Sequence, residues 1–151
     1  LDSHDVSRFL SLCGGDTASY RLAFLFMMCF VGMPTIFYGD ELGVQGIREE
    51  EYRAPMPWKG GDMALSGFFR KAIAMRHALS PLRNGAFQML SAEEGSRAIC
   101  FRRDTGAASV TVCINAGNTA AAIPQSGELL YWAEGLQNGI LSPGGFSVTY
   151  R

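Results

Sequence analysis

Apolar and polar positions split the chain into a first part with helical rhythm and a second part with strand rhythm. Leu22 to Phe30 is apolar on every side and contains no β-branched residue, which predicts a buried helix. Asp16 or Thr17 can cap that helix, with Gly14-Gly15 as the loop before it. Val31-Gly32-Met33-Pro34 interrupts the run. Thr35-Ile36-Phe37-Tyr38 is then β-branched and aromatic on both faces, the pattern of a strand covered on both sides. From Gly39 to Gly61 no period survives among turn residues, charges and two prolines, so a long loop is expected after that strand. A second helix is predicted over Met63–His77, with Asp62 as N-cap and Ser80-Pro81 as its stop. Leu65, Phe68, Phe69, Ala72, Ile73 and Arg76 share one face of it, opposite Ser66, Arg70, Lys71 and Ala74.

The rhythm changes after about Leu82. Ala86–Leu90, Ala98–Arg103, Ser109–Asn115, Ala120–Ile123, Glu128–Trp132 and Phe146–Tyr150 are short apolar or alternating runs separated by Gly, Asn, Ser and Pro. Six such runs with no helix between them predict an antiparallel β-sandwich. In Ser109–Asn115, Val110, Val112 and Ile114 share one face while Ser109, Thr111 and Asn115 occupy the other. The fold class expected is therefore an α+β chain, with α/β units in residues 1–81 and an antiparallel sandwich in residues 82–151.

Composition narrows the functional classes. The chain has 151 residues, 13 Lys+Arg and 14 Asp+Glu, for a formal net charge of −1. A near-neutral surface offers no field for a polyanion, so neither nucleic acid nor an anionic membrane is an expected partner. Leu22 to Gly39 is eighteen residues without a charge, near the lower limit for a membrane span, but the break at Val31–Pro34 favours the buried helix and strand. The four cysteines, Cys13, Cys29, Cys100 and Cys113, form no CxxC pair and are too scattered for a disulfide scaffold. Cys29 and Cys113 lie in apolar runs and read as small buried hydrophobes, which mildly favours a reducing compartment and a cytoplasmic location, with an extracellular one left open. His4 and His77 are the only histidines, too few for a zinc cluster with these cysteines, so no metal and no cofactor is expected. The first residue is Leu1 rather than Met, which suggests a piece of a longer chain.

Candidate chemistry begins at His4-Asp5, where an imidazole and a carboxylate can together face the hydroxyls of a sugar. The pair alone says little. It is followed by Gly32-Met33-Pro34-Thr35-Ile36-Phe37-Tyr38-Gly39-Asp40-Glu41-Leu42-Gly43 (GxPxIxYGDExG), by Arg53-Ala54-Pro55-Met56-Pro57-Trp58 (RxPMxW) and by Leu141-Ser142-Pro143-Gly144-Gly145-Phe146. In this order and spacing the elements resemble the C-terminal part of the α-amylase superfamily, glycoside hydrolase family 13, and within it the neopullulanase and cyclomaltodextrinase branch. The resemblance covers essentially the whole chain.

The resemblance implies that Ser3-His4-Asp5 lies at the end of the seventh strand of a (β/α)8 barrel. Residues 1–81 would supply the last strand–helix units of that barrel, and residues 82–151 the family's C-terminal β domain. Asp5 matches the third catalytic carboxylate, which holds hydroxyls of the distorted sugar, and His4 matches the imidazole bonded to the same sugar. Glu49 and Arg53 resemble an acidic residue and an arginine that line subsites beyond the cleavage point. Arg8 either projects toward the same cleft or ties down local backbone. Val6-Ser7 stands where many members have Thr-Pro or Thr-Glu. The family's nucleophilic Asp and acid/base Glu belong to strands four and five, upstream of Leu1, so this chain alone would be inactive. The implied partner is an α-glucan or maltodextrin substrate, and a homo-oligomer is left open.

Two other readings stand beside that of a retaining α-glucan hydrolase. One is a non-catalytic amylase-like, glycan-binding or structural module. The other is a transglycosidase or isomerase of the same superfamily. Asp40-Glu41 reads as a turn former and Glu49-Glu50-Glu51 mainly as a solvated charge run. Trp58 and Tyr131-Trp132 read as packing residues before sugar platforms, and His77 as a cation at a helix C-terminus. Thr35–Tyr38, deprived of neighbouring barrel strands, is expected to pair with a second copy or be covered by the chain's own helices.

Overall fold

Both long helices form where the spacing predicts them. After a short helix α1 (Phe9–Leu12), helix α2 (Thr17–Cys29) opens on Asp16, whose carboxylate accepts the amides of Ala18 at 3.0 Å and Ser19 at 3.3 Å. A four-residue helix α3 (Glu49–Tyr52) precedes α4 (Met63–Ala78), where Asp62 Oδ1 accepts the Leu65 amide at 2.9 Å. Pro81 then begins the short α5 (Pro81–Asn84), where its missing N–H costs nothing. The buried face of α4 carries Leu65, Phe68, Phe69, Ala72 and Arg76, as its period requires; Ile73 is only half-buried, while Met75, outside the expected face, and Ser66, placed opposite, are buried.

The computed structural model describes residues 1–92, 95–124 and 128–151, which form two compact units. One comprises Leu1–Met28 and Met33–Met75, the other Cys29–Gly32 and Arg76–Arg151. In the first unit Phe24 stacks on Phe69 with ring centroids 3.5 Å apart, and Tyr20 meets the same Phe69 at 5.7 Å. Leu10, Leu25 and Leu65 are buried in the same unit. Among the described residues no helix is long and apolar enough to cross a membrane.

Thr35–Tyr38 departs from expectation. The segment forms no ladder, and Thr35, Ile36 and Tyr38 are exposed while Phe37 is half-buried. Nor do the chain's own helices cover it. Its composition suits a strand between two others, but among the described residues no strand lies beside it to take its N–H and C=O groups. The following loop is also more ordered than its lack of period suggests. It contains a 3₁₀ turn over Asp40–Leu42 and the helix α3, where a wholly irregular loop was expected.

In the second unit, strands β1 (Ala86–Ala92), β2 (Ala98–Asp104), β3 (Ser109–Asn115), β4 (Ala121–Ala122), β5 (Leu129–Gln137) and β6 (Ile140–Tyr150) are all antiparallel. They hydrogen-bond into one sheet, in the order β1-β2-β3-β6-β4 with β5 also on β6, where two packed sheets were expected. Register places Phe101 opposite Val112 and Val112 opposite Val148, so these residues share an apolar face. Bulges lie between Met89 and Ser91 and within the β5–β6 ladder, where a sheet can bend. On the opposite face Leu141, from the start of β6, packs with Cys100 and Cys113. Both faces of β3 are consequently buried, including the Thr111 side.

Two polar groups and one covalent link fix this unit. Arg103 is buried, and its guanidinium donates to Gly85 O from Nε (3.1 Å) and Nη2 (2.8 Å), and from Nη1 to Cys29 O (2.9 Å) and Leu82 O (3.1 Å). Glu128 accepts Thr149 Oγ1 at 2.7 Å, Ser109 Oγ at 3.1 Å and Arg102 Nη2 at 3.2 Å. Burial pushes the Glu128 carboxyl up, but these hydroxyls, Thr111 and Arg102 outweigh it and hold it below the ordinary range. Cys100 and Cys113 face each other across β2 and β3 and are joined by a disulfide, so Cys113 is not the free thiol its apolar run suggested. Cys29 is free and buried, and loss of solvation pushes its thiol up to about 12. Trp132 packs edge-on against Phe146 at 4.9 Å in the core, as expected, whereas its neighbour Tyr131 is exposed. His77 lies in the last turn of α4, but the carbonyls of Arg76 and His77 are capped by Arg83 Nη1.

Candidate functional site

Four of the five residues singled out from the sequence converge in the first unit. Asp5 extends one carboxylate oxygen toward His4 Nε2 at 3.1 Å and the other toward Arg53 Nη2 at 3.3 Å. Arg53 also pairs through Nη1 with Glu49 at 2.7 Å and donates from Nε to the His4 carbonyl at 2.8 Å. These side chains are 45–68% exposed, so their remaining lone pairs and protons face solvent. A carboxylate, an imidazole and a guanidinium ordered against one another can together accept from and donate to several hydroxyls.

Arg53 sits at the C-terminal end of α3, one turn after Glu49, so the helical spacing itself puts the two side chains in contact. The acidic run is not merely solvated. Glu51 accepts the amides of Ile47 (3.0 Å) and Arg48 (3.1 Å) and the Arg48 Nε (2.7 Å), and these bonds hold its carboxyl down to about 2. Glu50 pairs with Arg48 at 3.4 Å. The loop is stitched to the segment after Asp5: the Arg8 amide donates to Gly46 O at 2.9 Å, Ser11 Oγ accepts the Gly46 amide at 2.8 Å, and Ser7 Oγ donates to Ile47 O at 3.0 Å. Gly46 is required there, because a Cβ would lie 2.5 Å from the Tyr52 nitrogen.

Arg8, the fifth candidate, is fully buried. Its Nη1 donates to Tyr38 O at 2.7 Å and Asp40 Oδ1 at 3.0 Å, and its Nε to Tyr52 O at 3.1 Å. The guanidinium also lies 4.1 Å from the Phe37 ring centroid. Of the two roles open to Arg8, its contacts serve the second: it ties down backbone and does not reach the exposed cluster. Asp40, beside it, also accepts the Phe37 amide at 3.1 Å. Burial, and then the hydrogen bond and charge of Asp2, push the Asp40 carboxyl up to about 7, against the opposing pull of Phe37 N–H and Arg8. Burial and the neighbouring Asp40 likewise raise the Tyr20 hydroxyl. Asp40 is thus more than a turn former; it accepts hydrogen bonds from a buried arginine and from the Phe37 amide.

Residues 1–77 match the family model described as alpha amylase, catalytic domain. The chain belongs to the alpha-amylase family. Within it, the chain is 39% identical over 117 residues to neopullulanase 2 of Thermoactinomyces vulgaris, covering 76% of this chain and 20% of that protein. It is 36% identical over 126 residues to the cyclomaltodextrinase of Geobacillus thermopakistaniensis (strain MAS1), covering 82% of this chain and 21% of the relative. The debranching enzyme of Nostoc punctiforme, in a crystal structure from an acarbose soak, superposes with a TM-score of 0.85 at 27% identity, over 99% of this chain and 32% of that one. The chain thus spans about a fifth of the length of these curated relatives.

Sequence reasoning passed over Tyr38 and Tyr52, whose groups hold the loop of this alpha-amylase segment. Tyr38 Oη donates to Ala54 O at 2.8 Å, and Tyr52 offers its carbonyl to Arg8. The signal for Tyr38 was its place in the YGDE turn, but nothing in the pattern names its partner. Trp58, expected to pack, is 86% exposed. Among the described residues no three His, Cys, Asp or Glu side chains converge as a metal site.

Proposed function

We propose that this chain is the C-terminal part of an α-glucan-acting retaining glycoside hydrolase of the cyclomaltodextrinase, neopullulanase or α-amylase type. Asp5 is its transition-state-stabilising carboxylate, His4 bonds the same sugar, and Glu49 and Arg53 bind the next one. The observation that carries this reading is the convergence of His4, Asp5, Glu49 and Arg53, which lie up to 49 positions apart in sequence, into one exposed hydrogen-bonded group.

The chemistry follows from charge development. Glycosidic cleavage passes through an oxocarbenium-like state, with a nucleophilic carboxylate and an acid carboxyl group flanking the bond. A third carboxylate contributes when its bonds to ring hydroxyls tighten in that state, and only such differential binding raises turnover. Arg53 and His4 hold both oxygens of Asp5 in place before the sugar arrives, so little reorganisation remains. The nucleophile and the acid come from other segments of the complete enzyme, and this segment alone is inactive.

In the complete enzyme, Asp5→Asn lowers kcat on maltopentaose by roughly a hundredfold or more, as for other lost preorganised stabilisers. Near-normal turnover by the purified variant would refute the assignment. In the same assay, net release of reducing ends marks hydrolysis, whereas new linkages mark transfer.

A further inference from the structure

The two carbonyls that flank Arg53 are each held by a side chain from elsewhere in the same unit. On the N-terminal side, Arg8 Nε donates to Tyr52 O at 3.1 Å; on the C-terminal side, Tyr38 Oη donates to Ala54 O at 2.8 Å. The holders are themselves linked, since Arg8 Nη1 donates to Tyr38 O at 2.7 Å and the guanidinium lies 5.0 Å from the Tyr38 ring centroid. The same Nη1 also donates to Asp40 Oδ1 at 3.0 Å. Pro55 follows at once and restricts the backbone further. The result is a closed loop of contacts, Tyr52–Arg8–Tyr38–Ala54, with Arg53 at its centre.

We infer that Tyr38 and Arg8 are positioning residues for Arg53: they fix the backbone on both sides of it so that its guanidinium meets Asp5, Glu49 and the bound glucan in one arrangement. This rests on the reading above that Arg53 binds substrate. The helix that Arg53 caps at its C-terminal end has only four residues, too short to hold its own shape. The side chain is long and 45% exposed, so its direction depends on where its backbone is held. Neither Tyr38 nor Arg8 has to touch the glucan for this; each acts through Arg53.

Arg8 is fully buried and its replacement threatens folding, so the test uses Tyr38→Phe, which keeps the ring and removes one donor. In the complete enzyme, Tyr38→Phe raises KM for maltopentaose roughly three- to tenfold, the worth of one net hydrogen bond, and lowers kcat by a smaller factor because Arg53 also holds Asp5. Arg53→Ala raises KM at least as much. The deciding readout is the double variant: adding Tyr38→Phe to Arg53→Ala changes KM no further, because the residue it positions is gone. An unchanged KM in Tyr38→Phe, or an equal multiplicative loss in the Arg53→Ala background, would overturn the inference. Asp5→Asn, measured beside them, keeps the two claims apart. If it remains active, the catalytic reading falls; if it is inactive while Tyr38→Phe is silent or additive, only the positioning role falls.

Discussion

Replacing Arg103 by Met tests what holds the β unit to its short flanking segments. Methionine keeps a long, unbranched stem of similar reach, so the change removes the guanidinium without opening a large cavity. Four hydrogen bonds to three carbonyls disappear. Each buried acceptor left without a donor costs about 1–3 kcal/mol, which gives a gross loss of roughly 3–9 kcal/mol. Against this, the variant no longer desolvates a cation, a relief of several kcal/mol. Buried ion pairs are often neutral when both partners become apolar, but here the partners are backbone carbonyls that Met cannot satisfy. The lost acceptors therefore prevail, and a net destabilisation of about 3 kcal/mol is expected. With a urea slope of about 1–3 kcal/mol per molar, the unfolding midpoint falls by at least about 1 M. Trp132 fluorescence reports the transition, since Trp132 is 6% exposed whereas Trp58, at 86%, already sees water. A midpoint shift below about 0.3 M, or a shift upward, would show that the carbonyl contacts contribute nothing net.

Two further outcomes follow from buried chemistry. The folded-state pKa of Asp40 lies above its ordinary 3.8, at about 7, so its proton stabilises the fold fully below the ordinary value, and that contribution is lost as pH rises through about 7. Urea midpoints of the helical signal at 222 nm should fall more steeply between pH 4 and 7 in the wild type than in Asp40→Asn; parallel profiles would refute the shift. The Cys100–Cys113 bridge closes a loop with a sequence separation of 13, so the double Ser variant should lose about 2–3 kcal/mol. Thiol titration of the unreduced, denatured chain should find Cys13 and Cys29 alone, and four reactive thiols would refute the bridge.

The sequence made legible whatever depends on local period and caps. Asp16 and Asp62 start their helices because a short acidic side chain ahead of an apolar rhythm has few other uses. Ser109–Asn115 is a strand over the very residues its alternation marks. What depends on distant partners was harder. Thr35–Tyr38 has the side chains of a buried strand, but a ladder also needs neighbours, and composition does not supply them. Helix α3 is too short for any period, and it exists because Glu51 turns back onto the Ile47 and Arg48 amides. The disulfide carried a signal that was missed: a tight turn at Thr105–Ala108 between matched runs puts Cys100 opposite Cys113 by symmetry. At the candidate site, motif order marked His4, Asp5, Glu49 and Arg53, which the structure gathers, whereas the destination of Arg8 was open because a guanidinium suits a cleft and a carbonyl cage equally.

The β unit is not one stretch of chain. Cys29–Gly32 belong to it, with the Phe30 ring against Phe87 at 5.1 Å and Phe101 at 6.4 Å, and the Cys29 carbonyl on Arg103. Arg76 binds the Phe30 and Gly32 carbonyls at 3.2 Å and 2.6 Å. A gene cut at residue 82 would express every strand yet leave out this clasp, baring two phenylalanines and removing one of the four hydrogen bonds of a buried arginine. Exchange of C-terminal modules between alpha-amylase relatives therefore has to carry three crossovers, one on each side of the Cys29–Gly32 segment and one before Arg76, or accept a host whose own residues there fit Phe87, Phe101 and Arg103.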